Sequence, residues 1–150
     1  MSAVIVDASI RHLDRLHEIE TECFKDEAFT REQIAQLLKD YDSIGFVACV
    51  GNKIVGFVIS MIYIDRNDLQ GHILTIDVLP DYRRKGIGQM LIQETERILK
   101  QKGAKASRLE VKEDNYAAIN LYKKLGYEKV GRLKNYYGNS HGIYLNKALT

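Results

Sequence analysis

Apolar residues along the 150-residue chain fall into short runs separated by polar turns, and the spacing inside each run separates strands from helices. Residues 3–6, 44–50, 53–63, 72–79, 107–111, 127–130 and 143–147 are compact apolar runs rich in β-formers, each the length of one strand. Gly51-Asn52 between the second and third predicts a tight antiparallel hairpin, and the polar run Asp65-Arg66-Asn67-Asp68 predicts the next turn. Gly71-His72 then leads into a central strand that ends at Pro80, the chain's only proline. Helical spacing relates Leu13, Leu16, Ile19 and Phe24 after a candidate N-cap at Ser9. The same spacing relates Ile34, Leu37 and Leu38 after the capping-box pair Thr30 and Gln33. A third helix carries Ile87, Leu91 and Ile98 and stops at Gly103; a fourth, opened by Asn115, carries Ala118, Leu121, Tyr122 and Leu125 and stops at Gly126. The pattern predicts an α/β domain of about seven strands and four helices, with no internal repeat or linker.

Residues 72–104 organise this pattern, because they read as strand, basic turn and long helix in immediate succession. Arg83-Arg84-Lys85-Gly86-Ile87-Gly88 stands where the third helix begins. A helix N-terminus carries unsatisfied N–H groups and partial positive charge, so it stabilises an anion. Glycine lets a bulky diphosphate approach the backbone, and the basic side chains add charge around it. A solvated basic turn before an ordinary helix is the plainer reading of the same residues. A dinucleotide fingerprint needs a small residue where Leu91 stands, and a phosphate loop needs GxxxxGK followed by Ser or Thr; neither pattern is present.

Composition narrows the classes. With 45% hydrophobic and 28% charged residues the chain is an ordinary globular composition, and its length predicts one domain over residues 1–150. No run approaches the length of a membrane span, and the N-terminus lacks the apolar core of a signal peptide, so a cytoplasmic location with no membrane partner is expected. A net charge of +2 with only local basic clusters argues against direct nucleic-acid binding. Cys23 and Cys49 lack metal or disulfide spacing and are expected in the core, and no metal is expected.

Arg83-x-x-Gly86-x-Gly88, between an apolar strand and an amphipathic helix, resembles the acetyl-CoA-binding motif of the GNAT acetyltransferase superfamily. A second stretch, Glu110-x-x-x-x-Asn115 followed by Leu121-Tyr122-x-x-x-Gly126-Tyr127, resembles the segment that closes the cofactor cleft in that superfamily. With Asn135-Tyr136-Tyr137-Gly138 added, nearly the whole chain is similar to the protein N-terminal acetyltransferases. These comprise the ribosomal-protein-alanine enzymes and the catalytic subunits of archaeal and eukaryotic complexes, and the archaeal type is the nearest in pattern.

The resemblance implies the GNAT fold with a mixed central sheet, acetyl-CoA as cosubstrate, and protein N-termini as acceptors. An auxiliary subunit or ribosome association is a further implied partner. Transfer from a thioester to an amine needs a neutral amine, support for the oxyanion and a proton for the departing thiolate. Periodicity alone makes Glu110 an outward strand carboxylate, His72 a strand-end histidine and Tyr122 a core tyrosine. The resemblance instead implies Glu110 and His72 as candidate bases and Tyr122 as the acid near the cofactor sulfur. It also implies that the backbone of Ile76, Asp77 and Val78 and the turn residues Arg83, Arg84, Lys85, Gly86, Ile87 and Gly88 bind the cofactor, with Asn115 both capping its helix and holding the pantetheine arm. Phe29, Thr75, Tyr136 and Tyr137 are implied to wall the peptide slot. Relatives often carry an acidic run where Gly138-Asn139-Ser140-His141 stands, so contacts that depend on that acid are not carried over. Two other functions stay open at this point: acetylation of lysine side chains or a small amine, and a CoA-binding sensor without transfer.

Overall fold

The computed structural model describes residues 2–149 as a single seven-stranded sheet, in the order β1-β2-β3-β4-β5-β7-β6. In chain order these are β1 (Ala3–Asp7), α1 (Leu13–Phe24), α2 (Arg31–Lys39), β2 (Ser43–Val50), β3 (Lys53–Asp65), β4 (Asp68–Val78), α3 (Ile87–Gln101), β5 (Ala106–Lys112), α4 (Tyr116–Lys124), β6 (Glu128–Leu133) and β7 (Gly142–Ala148). The alternation of apolar runs and the 3.6-residue stripes therefore produce the expected number of strands and helices. All neighbouring strands are antiparallel except β4 and β5, whose connection runs through α3 and makes them parallel.

Most strand ends shift by one to three residues from the sequence reading, and three differences have a clear local reason. β4 begins at Asp68, because Arg66 and Asn67 take left-handed backbone at φ 52° and 72° and close a two-residue hairpin. α1 is entered through a 3-10 turn at Ile10–His12. β6 starts one residue after Tyr127, whose ring is buried and whose hydroxyl is bonded to other elements. Thr30 does form its capping box: Gln33 N–H donates to Thr30 Oγ1, and Thr30 N–H donates to Gln33 Oε1.

The core lies where α1 and α3 meet the central strands, with Leu16 and Ile19 of α1, Leu91, Ile92 and Leu99 of α3, and Val55, Phe57, Val58 and Ile59 of β3 wholly buried. Gly71 admits α3 to this core, since a Cβ there would stand 2.5 Å from Leu99 Cδ1.

β4 is the strand on which the site depends. Ile59 faces Thr75 but the next residue, Ser60, faces Ile73, so a bulge falls at Leu74. A bulge bends and twists its strand, and β4 pairs with β5 only before it, at Gly71 with Ser107 and His72 with Arg108. Beyond that point β4 continues to pair with β3 as far as Gly56 and Val78, while β5 pairs with β7 as far as Lys112 and Gly142. The two parallel strands thus part in the middle of the sheet.

Close approach of β3 to β4 keeps the parted strand in place. A Cβ on Gly56 would lie 2.7 Å from the Asp77 carbonyl oxygen, which is backbone and cannot rotate away. Gly56→Ala is expected to lower unfolding free energy by about 1–3 kcal/mol, read as a lower denaturant midpoint with unchanged slope.

Candidate active site

The parting of β4 and β5 exposes its chemistry at once. His72 is the last residue of β4 paired with β5, and its Nε2 stands 2.6 Å from Glu110 Oε1, two residues past the pairing on β5. Both side chains are mostly buried, 17% and 13% exposed, yet both line a cavity of about 290 Å³ with Arg108, Leu133, Tyr136 and Tyr144. His72 therefore lies inside β4 and not at its start, and it and Glu110, expected from periodicity as a strand-end histidine and an outward carboxylate, are one hydrogen-bonded pair at the mouth of the opening.

The open side of β4 leads from this pair to the basic turn. The peptide unit between Val78 and Leu79 gives its N–H to Val55 O of β3, so its carbonyl points the other way, into the opening. Arg83 Nε donates to that carbonyl at 2.8 Å. Arg83 is therefore folded back onto the end of β4, whereas Lys85 lies 5.8 Å above the Tyr82 ring and Arg84 sits exposed with φ 61°. Gly86 is the N-cap of α3 with φ 84°, a conformation that disfavours any side chain, and open space stands where its Cβ would project. Gly86 has no side chain to cap α3, so the first-turn N–H groups of α3 face an uncovered surface. A diphosphate fits this donor set. A second depression of about 540 Å³, lined by Val50, Tyr82, Lys85 and Met90 among others, lies against the same turn and contains none of the side chains at the strand parting.

α4 closes the other side. Asn115 caps it, its Oδ1 accepting from Ala118 N–H at 3.2 Å. Tyr122 is 7% exposed, edge-on to Tyr127 with ring centroids 6.1 Å apart. Burial pushes the Tyr122 hydroxyl well above the ordinary phenol value, so it is held protonated. Tyr127 is fixed in turn: its hydroxyl donates to Glu96 Oε2 of α3 at 2.9 Å and meets Ser107 Oγ at 2.8 Å, while Lys147 Nζ donates to Glu96 Oε1.

The outer walls come from two loops. Tyr136 and Tyr137 stack edge to face at 4.9 Å, in a loop tied by Asn135 N–H donating to His141 Nδ1 and Tyr137 N–H donating to Ser140 O. His141 thus holds the loop where relatives were expected to differ. Lys112 Nζ, 5.9 Å above the Tyr137 ring, also bonds Glu27 Oε1 at 2.6 Å, joining this wall to the loop between α1 and α2 that carries Phe29. Phe29 is half-buried and packs against the core.

Sequence reasoning missed the group behind that loop. Thr75 and Asp77 do not present their side chains to a ligand; both are buried, together with Glu20 of α1, which is 2% exposed. Thr75 Oγ1 lies 2.7 Å from Glu20 Oε1 and 2.8 Å from Asp77 Oδ1. One hydroxyl has one proton, so both contacts are hydrogen bonds only if one carboxyl is itself protonated. Burial, then the charge of Glu20, raises Asp77 well above the usual carboxylate range. The chain therefore runs from protonated Asp77 to Thr75, from Thr75 to Glu20, and to Glu20 Oε2 from Phe29 N–H at 3.0 Å. Asp77 Oδ2 is buried without a partner. The available signals were Glu20 on the apolar stripe of α1 and Asp77 at an inward position of an apolar strand. Cys23 stands beside the group, and burial pushes its thiol up to about 11, which suits a core residue rather than a nucleophile.

The acetyltransferase (GNAT) family profile matches residues 13–127. An N-alpha-acetyltransferase of Sulfurisphaera tokodaii is 38% identical, over 74% of this chain and 72% of its own. The structure of Ard1 from Thermoplasma volcanium superimposes with a TM-score of 0.89 over 100% of this chain and 99% of its own, at 25% identity. Arabidopsis thaliana NAA60 in complex with acetyl-CoA shares the fold with a TM-score of 0.88 over 98% of both chains, at 21% identity.

The shared proton has a measurable consequence. Because the folded-state value of Asp77 is raised, the stability it contributes is complete below the ordinary carboxyl range and is lost as pH rises through the raised value. Asp77→Asn keeps a donor for Thr75 without a charge to bury, so its melting temperature is expected to be flatter than wild type between pH 5 and 9, with a relative gain of about 5 °C at the alkaline end. Parallel curves for the two proteins would rule out the protonated carboxyl.

Proposed function

The chain belongs to the GNAT acetyltransferase family, and on that premise we propose that it is a peptide α-N-acetyltransferase that transfers the acetyl group of acetyl-CoA directly to the free amino terminus of a protein. The observation that carries this reading is the His72 Nε2 to Glu110 Oε1 contact at the point where β4 and β5 part. Bound acetyl-CoA supplies the activated acetyl thioester. For its diphosphate the chain offers Arg84, Lys85, Gly86, Ile87 and Gly88; for its pantetheine arm, the open backbone of Ile76, Asp77 and Val78 with Asn115 opposite. Arg83 braces the Val78 carbonyl at the end of that edge.

The amine arrives partly as ammonium. An α-amine titrates near about 7.7–8.0 and a lysine near about 10.4, so at neutral pH an N-terminus needs far less help to become neutral. Glu110 and His72 share that task, the carboxylate holding the ammonium and the pair accepting its proton, directly or through water. Tyr122, held protonated by its surroundings, donates toward the departing thiolate. Phe29, Tyr136 and Tyr137 wall the peptide, and the side chains of Thr75 and Asp77 act from behind by holding the Phe29 loop. The guanidinium of Arg108 in the same cavity counts against a polyamine acceptor, whose additional positive charges it repels. We place the reaction in the cytoplasm, on newly made protein N-termini, with an auxiliary subunit or the ribosome as the element that delivers them.

Purified protein with acetyl-CoA should release CoA with peptides bearing open Ser, Ala or Met amino termini, and not with an N-acetylated lysine peptide. Transfer to lysine alone would overturn the reading, and tight acetyl-CoA binding without turnover on any amine would identify a sensor. Glu110→Gln and Tyr122→Phe are each expected to lower kcat about 10²-fold while leaving acetyl-CoA affinity within severalfold. His72→Gln should cost less than Glu110→Gln, and the double variant more than either. Equal losses in kcat and cofactor affinity would make these residues structural.

A further inference from the structure

The cavity beside the His72–Glu110 pair holds a cation with unused hydrogen-bonding capacity. Arg108 precedes Glu110 by two residues on β5, so both side chains leave the strand on the same face. Its guanidinium carbon lies 5.3 Å from the Tyr63 ring centre and 5.5 Å from that of Tyr144. Rings at these distances hold the guanidinium by cation–π attraction and restrict its motion without taking up its N–H donors. Those donors have no taker among the described residues. Arg108 Nε is buried without a hydrogen-bond partner among the described residues, and the closest carboxylate oxygen, Glu110 Oε2, is 3.9 Å away, beyond hydrogen-bond range. Glu110 is already committed to His72 through its other oxygen. The Arg108 side chain is still 36% exposed, and it is the one lysine or arginine lining the 290 Å³ cavity among the described residues.

Resting on the peptide reading above, we propose that Arg108 is a specificity-determining residue that receives the side-chain carboxylate of an acidic amino acid at position 1 or 2 of the acceptor peptide. Charge and reach both lead there. The incoming ammonium is drawn to Glu110 but meets the positive Arg108 beside it, and an acidic side chain on the same peptide cancels that repulsion. An extended residue spans about 3.3–3.6 Å, and Arg108 stands 3.9 Å from the carboxylate that holds the amine. The matching carboxylate therefore belongs to one of the first two residues. A guanidinium and a carboxylate form two parallel N–H···O bonds, and the two tyrosine rings beside Arg108 already restrict the motion of the group that donates them.

The test compares peptides that differ only at the first or second residue, Glu against Gln against Lys, at saturating acetyl-CoA. For wild type, kcat/KM with a Met-Glu terminus is expected about tenfold above Met-Gln, with Met-Lys lowest. Arg108→Met should bring Met-Glu and Met-Gln to within about twofold of each other, and Arg108→Lys, which keeps the charge without the fork, should retain part of the preference. A wild-type ratio near one, or a ratio that survives Arg108→Met, overturns the proposal. The second outcome includes the case in which Arg108 serves only to steady Glu110, since every peptide would then lose rate equally. Should Arg108→Met fail to fold by its thermal melt, the wild-type ranking and the Arg108→Lys ratio decide. Should no peptide be acetylated, the transferase reading fails separately. Calorimetric titration of the same peptides onto the CoA-loaded protein then decides for Arg108, with selective binding of the Glu peptide supporting it and equal binding overturning it.

Discussion

The bulge at Leu74 is the constraint on which the rest of the structure depends. Strand pairing is cooperative along its length, and a strand inside a sheet ordinarily satisfies its backbone groups on both sides. Here β4 meets β3 along its whole length but leaves β5 after His72, so the peptide groups beyond it on one side face water or a ligand. Such groups are costly to bury unpaired. The fold answers by keeping that edge open and by placing Arg83 on the Val78 carbonyl at its far end. A continuous pairing of β4 with β5 would close the opening and bury His72 and Glu110 without a substrate path.

Carboxyl groups on either side of this opening are handled in opposite ways. Glu110 is left beside a histidine and an arginine, at the wall of a cavity, where a cationic amine improves its surroundings. Glu20 and Asp77 are sealed behind β4, where two negative charges cannot both persist, and the pair is neutralised by a proton and a threonine hydroxyl. The same strand therefore carries a base site before the bulge and a protonated acid after it.

The local features were readable from the sequence because their causes are local. Gly51-Asn52 can only turn, Thr30 and Gln33 cap one another, and Arg83 to Gly88 lie together on one turn whatever the fold does. Glu110, Asn115 and Tyr122 had candidate roles only through resemblance, since their spacing suits a solvated strand and an ordinary helix equally well. What escaped were contacts between distant positions. Glu20 and Thr75 are 55 residues apart, and nothing in either run names the other. Arg108 was passed over because an arginine in alternation with Ser107 and Leu109 looks like a solvent-facing strand residue. Its meaning comes from Tyr63 and Tyr144, which only the sheet order brings beside it.

A buried acid pair is a poor way to stabilise a core, and apolar residues of similar volume would often serve stability better. Its retention makes sense through what it holds. Asp77, Thr75 and Glu20 end on the Phe29 N–H, at the tip of the loop between α1 and α2. The same loop is gripped from the other side by Glu27 on Lys112, which lies over Tyr137. The two walls of the slot are thus joined by polar contacts that depend on direction, whereas apolar packing would leave the loop free to slide. The feature that costs the core stability therefore fixes the peptide wall.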